Sequence, residues 1–508
     1  MRRRIAVIGA GHHGLVAAVR LAARGHDVLV LEAASAPGGA VRSAASTLPG
    51  FTHDICSGFF PLTAASPAFG DLDLALDWVN PPVAMVHVLD GEGEEVALHR
   101  DLAATIDSLE ACAPGAGVAW GELMRTLWPH RHALISAGLS RLPPLRDGAT
   151  LLARLRSRAL ELAPMALASS ASLGRGLFGS DRAAAWLAGS GAHADLSPQA
   201  AGSGAFSLGL NFLGHVVGWP FPRGGAGRLT EALVTQLRER GAEVRCANAV
   251  AHIEARRGRV AAVRLAGGER LAVDAAVCTV SPGPLLSLLP DGAFPARVKE
   301  RLRRWRYGLG TVKLDYALSA PVPWPGPRAR EAGVVHVGGA LGELVTSLEQ
   351  AGDGRFPDRP ALVVGQHSLH DGTRAPDGQH TLYVYARVPQ QPELSDDEVA
   401  ERIEERIEQF APGFRKLVLA RAIRSPAAIE AENPSLRGGD LAAGSCELDQ
   451  QLLFRPAPEL CRCRTPLRGL YVAGAWVHPG PGVHGVSGRA AADALLADQR
   501  WRVRNAVR

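Results

Sequence analysis

The residues with the most specific chemistry lie near the start of this 508-residue chain. Gly9, Gly11 and Gly14 follow the apolar run Ile5–Ile8, which predicts a buried strand, and precede a helical pattern. In this context the first glycine allows a tight turn, the second lets the backbone approach a pyrophosphate, and the third lets the helix pack closely on the sheet. Glu32 ends the next predicted strand, where a carboxylate binds ribose hydroxyls. These residues predict a dinucleotide site at a helix N-terminus.

Two further segments favour FAD over NAD. Gly38 and Gly39 come shortly after Glu32, where small residues let a loop run under the ribose and pyrophosphate, and Arg42 is placed to neutralise a phosphate. Near the C-terminus, residues 469–485 have the pattern of a strand, a tight Gly/Pro loop and a helix start, whose amides suit the electron-rich edge of a reduced flavin. The sequence contains no second strand–G-x-G-x-x-G–helix unit, so electrons are not expected to leave to a bound NAD(P).

These motifs resemble those of the phytoene desaturase branch of the FAD-dependent amine oxidase and phytoene dehydrogenase superfamily, and most closely its bacterial phytoene dehydrogenase-related members. The resemblance covers most of the chain, with softer matches at 51–57 and 219–225 and a specific one at 474–480. It implies that the backbone of Val250 holds the adenine and that Gly482 and Val483 lie near the isoalloxazine. The predicted cofactor-binding residues are Gly9, Gly11, Gly14, Glu32, Gly38, Gly39, Arg42, Val250, Gly474, Ala475, Gly482 and Val483.

The sequence departs from the family pattern at two places. Arg42 stands later than the arginine that commonly follows the glycine pair in amine oxidases. Pro481 and His484 stand where many relatives carry glycine and an apolar residue. These departures leave the FAD prediction intact and leave the carotenoid substrate open.

Bound FAD implies removal of a hydride from carbon and then reoxidation by oxygen or a quinone. His484, on the loop expected near the flavin, is the predicted catalytic residue, and a hydrogen-bonded loop histidine is the alternative. Lys313 is either the family's buried lysine near the ring or a solvated strand lysine. Other residues either line the site or are structural, namely His53, Asp54, Trp219, Trp476 and His478.

The pattern of elements predicts an α/β fold. Segments 1–68, 218–288 and 461–508 form one discontinuous Rossmann-type FAD-binding domain, because α/β texture returns at the start, middle and end of the chain. The insertions 69–217, largely helical, and 289–460, a sheet plus helices, form an α+β substrate domain with a mixed sheet and a helical part.

Composition excludes several classes of protein. The chain is 47% hydrophobic and 21% charged, which is enough apolar material for a large core. Its net charge of +5 comes from scattered arginines without an aromatic–basic pattern, so no nucleic-acid partner is expected.

Seven cysteines without a C-x-x-C pair indicate reduced thiols in a cytoplasmic protein, with no metal site. The apolar segment after Arg2–Arg4 is the first strand of the fold, which argues against a twin-arginine signal.

No apolar stretch is long enough to span a bilayer. Arg154, Arg156 and Arg158 stand among Leu151, Leu152, Leu155 and Leu160, a pattern that indicates either a peripheral contact with the inner membrane face or a solvated helix. The sequence therefore predicts an FAD-dependent oxidoreductase that desaturates or dehydrogenates an apolar small molecule. An amine oxidase, an FAD-dependent isomerase and a flavin-bound regulatory protein without turnover are the alternatives.

Overall fold

The computed structural model describes residues 2–142, 145–156 and 158–506. In chain order the strands of these residues are β1 (Arg4–Ile8), β2 (Asp27–Leu31), β3 (Ser43–Ala44), β4 (His53–Asp54), β5 (Trp78–Val79), β6 (Val83–Val88), β7 (Glu95–His99), β8 (Phe221–Pro222), β9 (Glu243–Arg245), β10 (Val250–Arg256), β11 (Arg259–Leu265), β12 (Arg270–Ala272), β13 (Ala275–Cys278), β14 (Gly310–Leu318), β15 (Ala332–Val337), β16 (Leu362–Gly365), β17 (His380–Val388), β18 (Val418–Arg424) and β19 (Leu470–Val472).

The α-helices of the same residues are α1 (His12–Ala22), α2 (Pro61–Ala65), α3 (Pro67–Gly70), α4 (Leu102–Cys112), α5 (Ala116–Leu127), α6 (Arg131–Gly138), α7 (Leu145–Leu155), α8 (Arg158–Leu167), α9 (Ser170–Phe178), α10 (Asp181–Gly191), α11 (Ser203–Val216), α12 (Gly227–Glu239), α13 (Pro282–Leu288), α14 (Ala296–Arg303), α15 (Leu341–Gly352), α16 (Asp396–Phe410), α17 (Pro426–Glu432) and α18 (Val486–Ala506). α16 begins with a capping box in which Ser395 and Glu398 each bond the other's backbone amide.

The first sheet has the strand order β19-β13-β1-β2-β9, and each of its pairs is parallel. Its strands come from the start, the middle and the end of the chain. β1 is apolar and buried from Ile5 to Ile8, as expected of a parallel strand with helices on both faces. The α/β prediction is confirmed, and all three chain segments assigned to the cofactor domain contribute strands to this sheet.

The second sheet is mixed and has the order β18-β14-β17-β16-β15-β6-β7. One face packs on α16 through Val399, Ile403 and Ile407, which repeat at helical spacing and are buried. The other face packs against the helical part of the chain, including Trp120 and Trp186. Segment 69–217 is therefore not purely helical, because β6 and β7 extend this sheet. Both strands are short, and β15, the partner of β6, lies far along the chain.

Three smaller sheets accompany the two large ones in the described part of the chain. β10, β11 and β12 form an antiparallel meander next to the first sheet, β3 pairs with β4, and β5 pairs with β8. The bounds of the five domain segments stay a prediction, which the membership of the two large sheets supports. Among the described residues, none of the helices combines the length and apolar character that crossing a bilayer requires.

Candidate functional site

The turn between β1 and α1 uses its three glycines for different reasons. Gly9 has a φ of +98°, and a Cβ there would lie 2.3 Å from Oγ1 of Thr279. A Cβ at Gly14 would lie 2.1 Å from the carbonyl oxygen of Gly9. Gly11, by contrast, has no heavy atom within 4 Å of its Cβ position. Two of the glycines are thus needed for backbone packing, and the third borders open space at the start of α1.

Glu32 closes the turn from the side of β2. Its carboxylate accepts hydrogen bonds from the backbone N–H of Ala10, at 2.7 Å, and from that of Ala34, at 2.9 Å. The carbonyl oxygen of Glu32 accepts a hydrogen bond from the N–H of Asn248, at 2.8 Å. Asn248 stands just before Val250, the first residue of β10. Glu32, which is predicted to bind the ribose, and Val250, which is predicted to bind the adenine, therefore lie on neighbouring segments.

The glycine pair lies beside the same turn. The N–H of Gly38 donates to the carbonyl oxygen of Ala10 at 2.9 Å, and the Cβ position of Gly39 lies 3.3 Å from Cα of Gly11. The guanidinium of Arg42 donates to the carbonyl oxygen of Gly39 at 2.9 Å and to the carboxylate of Glu432 at 3.3 Å. Arg42 thus already has a carboxylate partner, which a phosphate would have to displace or share.

The C-terminal loop closes over the start of α1. Ser487 donates its hydroxyl to the carbonyl oxygen of Gly474 and accepts from the N–H of the same residue, both at 3.0 Å. The hydroxyl also lies 3.0 Å from Nδ1 of His13. Nε2 of His12 lies 3.3 Å from the carbonyl oxygen of Gly482. Contacts between the C-terminal loop and α1 therefore bring the two ends of the chain together, and His12 and His13 take part in these contacts.

The same loop also positions Ala475 and Val483. The carbonyl oxygen of Ala475 accepts a hydrogen bond at 3.0 Å from the guanidinium of Arg455, which is fully buried. The carbonyl oxygen of Val483 accepts a hydrogen bond from the hydroxyl of Thr63, on α2. Backbone contacts to distant segments thus hold both ends of the loop.

His484 is buried within its own loop. Its Nδ1 accepts a hydrogen bond from the N–H of Val486 at 3.1 Å, so Nε2 carries the proton and donates to the carbonyl oxygen of Gly480 at 3.0 Å. Burial lowers the pKa of His484 to about 4, which keeps the ring neutral at pH 7. Both nitrogens are therefore occupied by the loop backbone. His484 as catalytic residue stays a prediction, and these contacts favour the alternative of a loop-forming histidine.

Lys313 belongs to a buried charged group where β14 meets the N-terminal segment. Its ammonium pairs with Asp315 and lies 4.3 Å from the centroid of the Tyr383 ring. Asp315 also accepts a hydrogen bond from Arg424 at 3.0 Å, and its carboxylate lies 3.6 Å from Nδ1 of His53. The side chain of Lys313 is only 1% exposed, so the solvated alternative is wrong.

Asp54 and Arg374 form a second buried ion pair, between the N-terminal segment and the connection from β16 to β17. Asp54 accepts hydrogen bonds from Arg374 at 3.0 Å and from the N–H of Ala226 at 2.8 Å. Burial raises the pKa of Asp54 and the charge of Arg374 lowers it, with a net decrease. Trp219 and Trp476 are both buried, and the indole N–H of Trp219 donates to the carbonyl oxygen of Leu210 at 3.2 Å. Arg374 was missed by sequence reasoning because its partner lies far away in the chain.

The residues around the fingerprint fit an FAD. The first N–H groups of α1 have no partner within the helix, and the positive end of the helix dipole favours phosphate there. Gly11 borders open space, as a close approach of the pyrophosphate requires. Among the described residues, Nε2 of His13 and Nε1 of Trp476 are buried and without a hydrogen-bond partner. A ligand with polar atoms at this junction of both chain ends would explain these orphaned groups.

Comparison with known proteins agrees with this arrangement. A model of the family described as flavin containing amine oxidoreductase matches residues 14–496. The chain belongs to this family. As a family member it is an FAD-dependent oxidoreductase, and its cofactor is FAD.

Three similar proteins match between 77% and 97% of this chain. A rat protein named pyridine nucleotide-disulfide oxidoreductase domain-containing protein 2 is 29% identical over 97% of this chain and 93% of its own length. The zeta-carotene-forming phytoene desaturase of Myxococcus xanthus is 30% identical over 77% of this chain and 73% of its own length. The crystal structure of an oxidoreductase from Methanosarcina mazei has the same fold, with a TM-score of 0.63 at 14% identity over 97% and 100% of the two chains.

Proposed function

We propose that this enzyme dehydrogenates a carbon–carbon bond of an apolar, isoprenoid-like small molecule and passes the electrons to oxygen or a quinone. The observation that carries the proposal is the 30% identity, over most of both chains, to a phytoene desaturase. The face of the second sheet turned to the helical part is apolar, since Met85, Val334 and Val363 are buried there with the rings of Tyr383 and Tyr385, and a substrate that enters between this face and the helices would have to be apolar.

The chain's own residues have separate tasks in this proposal. Gly11, Gly39 and the first turn of α1 would hold the pyrophosphate, and the two oxygens of Glu32 would bind ribose hydroxyls with their remaining lone pairs. The loop from Gly474 to Val483 would cover the ring system with its backbone. When bound, FAD supplies a hydride acceptor. The apolar face beside Tyr383 would orient the substrate and exclude water.

The test is anaerobic bleaching of the flavin absorbance near 450 nm by substrates in detergent micelles. Phytoene and shorter isoprenoid alkenes should bleach the purified holoenzyme, whereas primary and secondary amines should not. Bleaching by an amine, followed by oxygen consumption, would replace the proposal with an amine oxidase. A double-bond shift in the alkene without net bleaching would indicate an isomerase. Failure of alkenes, alcohols and amines alike would favour a flavin-bound regulatory protein.

We also propose that the enzyme contacts a lipid surface from the cytoplasmic side, as a route for such a substrate. Leu160 on α8 is 81% exposed, and Leu167 is also exposed. The carbonyl oxygen of Leu167 accepts a hydrogen bond from the N–H of Gly202, whose Cβ position lies 2.6 Å from Leu448. Leu448 precedes a second exposed apolar segment, Leu452–Phe454. The two apolar segments thus lie side by side, and the exposed arginines of the α7–α8 region suit anionic headgroups, namely Arg154, Arg156 and Arg158.

Co-sedimentation with vesicles of phosphatidylcholine and phosphatidylglycerol tests this contact. The wild-type enzyme should sediment with the vesicles, and the double variant Leu160→Asp/Leu167→Asp should stay in the supernatant. Leu419→Asp is the matched control, because Leu419 is 45% exposed on β18. Equal binding of the double variant and the control would contradict the proposal.

A further inference from the structure

Asn433 lies at the edge of the expected cofactor site, although it belongs to the insertion 289–460 of the substrate domain. It directly follows α17, and its backbone N–H donates to the carbonyl oxygen of Ile429 at 3.0 Å. A Cβ at Gly39 would lie 3.3 Å from Cα of Gly11 and 3.8 Å from Nδ2 of Asn433. The side-chain amide of Asn433 therefore borders the same space as the two glycines that are expected to hold the pyrophosphate.

Hydrogen bonds decide which atom of this amide faces the glycines. Oδ1 of Asn433 accepts from the backbone N–H of Ser435 at 3.2 Å, in a turn that asparagine forms readily. The hydroxyl of Ser435 in turn accepts from the N–H of Ser281, which follows β13 of the first sheet, at 3.2 Å. None of the hydrogen bonds among the described residues uses Nδ2 of Asn433 as a donor. Asn433 thus has two unused N–H groups beside Gly39.

Apolar packing holds the segment around Asn433 against both segments that are expected to bind FAD. Ile429 and Leu436, which stand on either side of it in the chain, are buried in one apolar cluster. Ala40, next to the glycine pair, and Ala475, on the C-terminal loop, pack against this cluster. The position of Asn433 is therefore fixed by contacts with the cofactor domain and not only by its own helix.

The carboxylate next to Asn433 does not oppose a phosphate at this place. Glu432 accepts hydrogen bonds from Arg42 at 3.3 Å and from Arg424 at 3.1 Å. Two guanidinium groups thus compensate one carboxylate, and the three side chains together carry a positive charge. An anion that approaches Asn433 meets a favourable field.

The pyrophosphate is the part of FAD that suits these donors. Phosphate oxygens accept hydrogen bonds and are charged, and hydrogen bonds to a charged acceptor are about twice as strong as those between neutral groups. The pyrophosphate is expected beside Gly11, because the first turn of α1 directs its free N–H groups there. The ribose hydroxyls, by contrast, are expected at the carboxylate of Glu32.

We propose that Asn433 is a further ligand of FAD, whose Nδ2 donates to the pyrophosphate beside Gly11 and Gly39. The substrate domain thereby contributes a ligand to a cofactor that the first sheet otherwise binds. This role concerns the cofactor alone, so it holds for any substrate that the enzyme oxidises.

The test measures cofactor affinity and needs no substrate. Dilution of the holoenzyme, followed by the fluorescence of released flavin, gives the affinity for FAD, and competition by ADP gives the affinity for a ligand with the pyrophosphate but without the flavin. Asn433→Ala removes the donors, and Asn433→Asp removes them while keeping an acceptor for Ser435. Both variants should bind FAD and ADP at least about tenfold more weakly than the wild type. Asn80→Ala is the matched control and should keep both affinities, because Nδ2 of Asn80 donates to the carbonyl oxygen of Val217 at 2.9 Å.

The two variants separate the lost donors from the other properties of Asn433. Weaker binding only in Asn433→Asp would show that the added charge is responsible, and weaker binding only in Asn433→Ala would show that the turn at Ser435 is responsible. Either result would overturn the proposal, and so would a loss of FAD affinity with unchanged ADP affinity. A crystal structure of the wild-type holoenzyme decides the question even if a variant fails to fold. Nδ2 of Asn433 should lie within hydrogen-bonding distance of a pyrophosphate oxygen, and a longer distance would contradict the assignment.

Discussion

The carboxylate of Asp54 and the guanidinium of Arg374 form a fully buried ion pair, with a hydrogen bond of 3.0 Å between the N-terminal segment and the connection from β16 to β17. Asp371 binds the same guanidinium at 3.0 Å, and Asp54 also accepts the hydroxyl of Ser43 at 2.7 Å. The polar groups of the pair are thus satisfied on both sides. The pair links the edge of the cofactor domain to the substrate domain.

Removing the cation from this pair should destabilise the protein strongly. Arg374→Met leaves the charge of Asp54 buried and uncompensated, which costs about 3–5 kcal/mol of unfolding free energy. Urea denaturation followed by circular dichroism measures the loss. Arg175→Met is the control, because Arg175 pairs with Asp181 on an exposed surface and should leave stability unchanged. If both variants lost the same unfolding free energy, the buried ion pair would contribute no more to stability than the exposed one.

The fingerprint glycines should separate folding from cofactor binding. Gly11→Ala should keep the stability of the apoprotein, since its Cβ enters open space and its φ of −67° suits alanine. The same methyl group should weaken FAD binding at least tenfold by occupying the approach to the pyrophosphate. Gly14→Ala should destabilise the apoprotein by about 1–3 kcal/mol, because its Cβ collides with the carbonyl oxygen of Gly9. Thermal unfolding and flavin fluorescence titration measure the two effects. Tight FAD binding by Gly11→Ala would place the pyrophosphate elsewhere.

Acid should destabilise the protein well above the pH at which most carboxylates titrate. Burial lowers the pKa values of His12 and His193 to about 3 and those of His87, His215 and His367 to about 4. In the unfolded chain these rings take up protons near pH 6.5, so stability is full above that pH and falls as the pH drops towards 4.

Each such histidine adds a slope of up to about 1.4 kcal/mol per pH unit. Asp195 opposes the trend, because burial raises its pKa to about 8 and the folded state then binds a proton that the unfolded state lacks. The histidines outnumber this one group, so the unfolding free energy should fall steadily from pH 7 to pH 5. Denaturation midpoints in overlapping buffers measure it, and a flat profile over this range would contradict the assigned burial.

His484 provides a test that separates a proton acceptor from a loop-forming side chain. His484→Gln keeps one acceptor and one donor but cannot span the positions of Nδ1 and Nε2 as the imidazole does. If the ring only shapes the loop, FAD affinity and thermal stability should fall while the pH dependence of flavin reduction stays that of the wild type. A loss of the pH dependence, with FAD affinity unchanged, would instead support the catalytic role.

Local sequence patterns were sufficient to predict much of the FAD-binding domain. The apolar run at Ile5–Ile8, the glycine spacing after it and Glu32 predicted strand, turn, helix and carboxylate in the correct order, because each of these depends on neighbouring residues. The start of α16 likewise depends on neighbouring residues, because Ser395 and Glu398 form its capping box. In segment 69–217, helical composition concealed β6 and β7, whose strand character depends on a partner in β15.

The sequence by itself determined the cofactor class and the α/β fold, since a tight turn, a helix start and a buried strand are short-range consequences of residue type. Only the tertiary structure decided which residues lie next to the buried polar and charged side chains. Asp54 pairs with Arg374, and the ammonium of Lys313 lies over the ring of Tyr383. Both His87 and His336 contact Gly189. No local sequence pattern encodes these contacts. A buried polar group takes its partner from whichever segments the packed core brings together, and that choice is made by the whole chain.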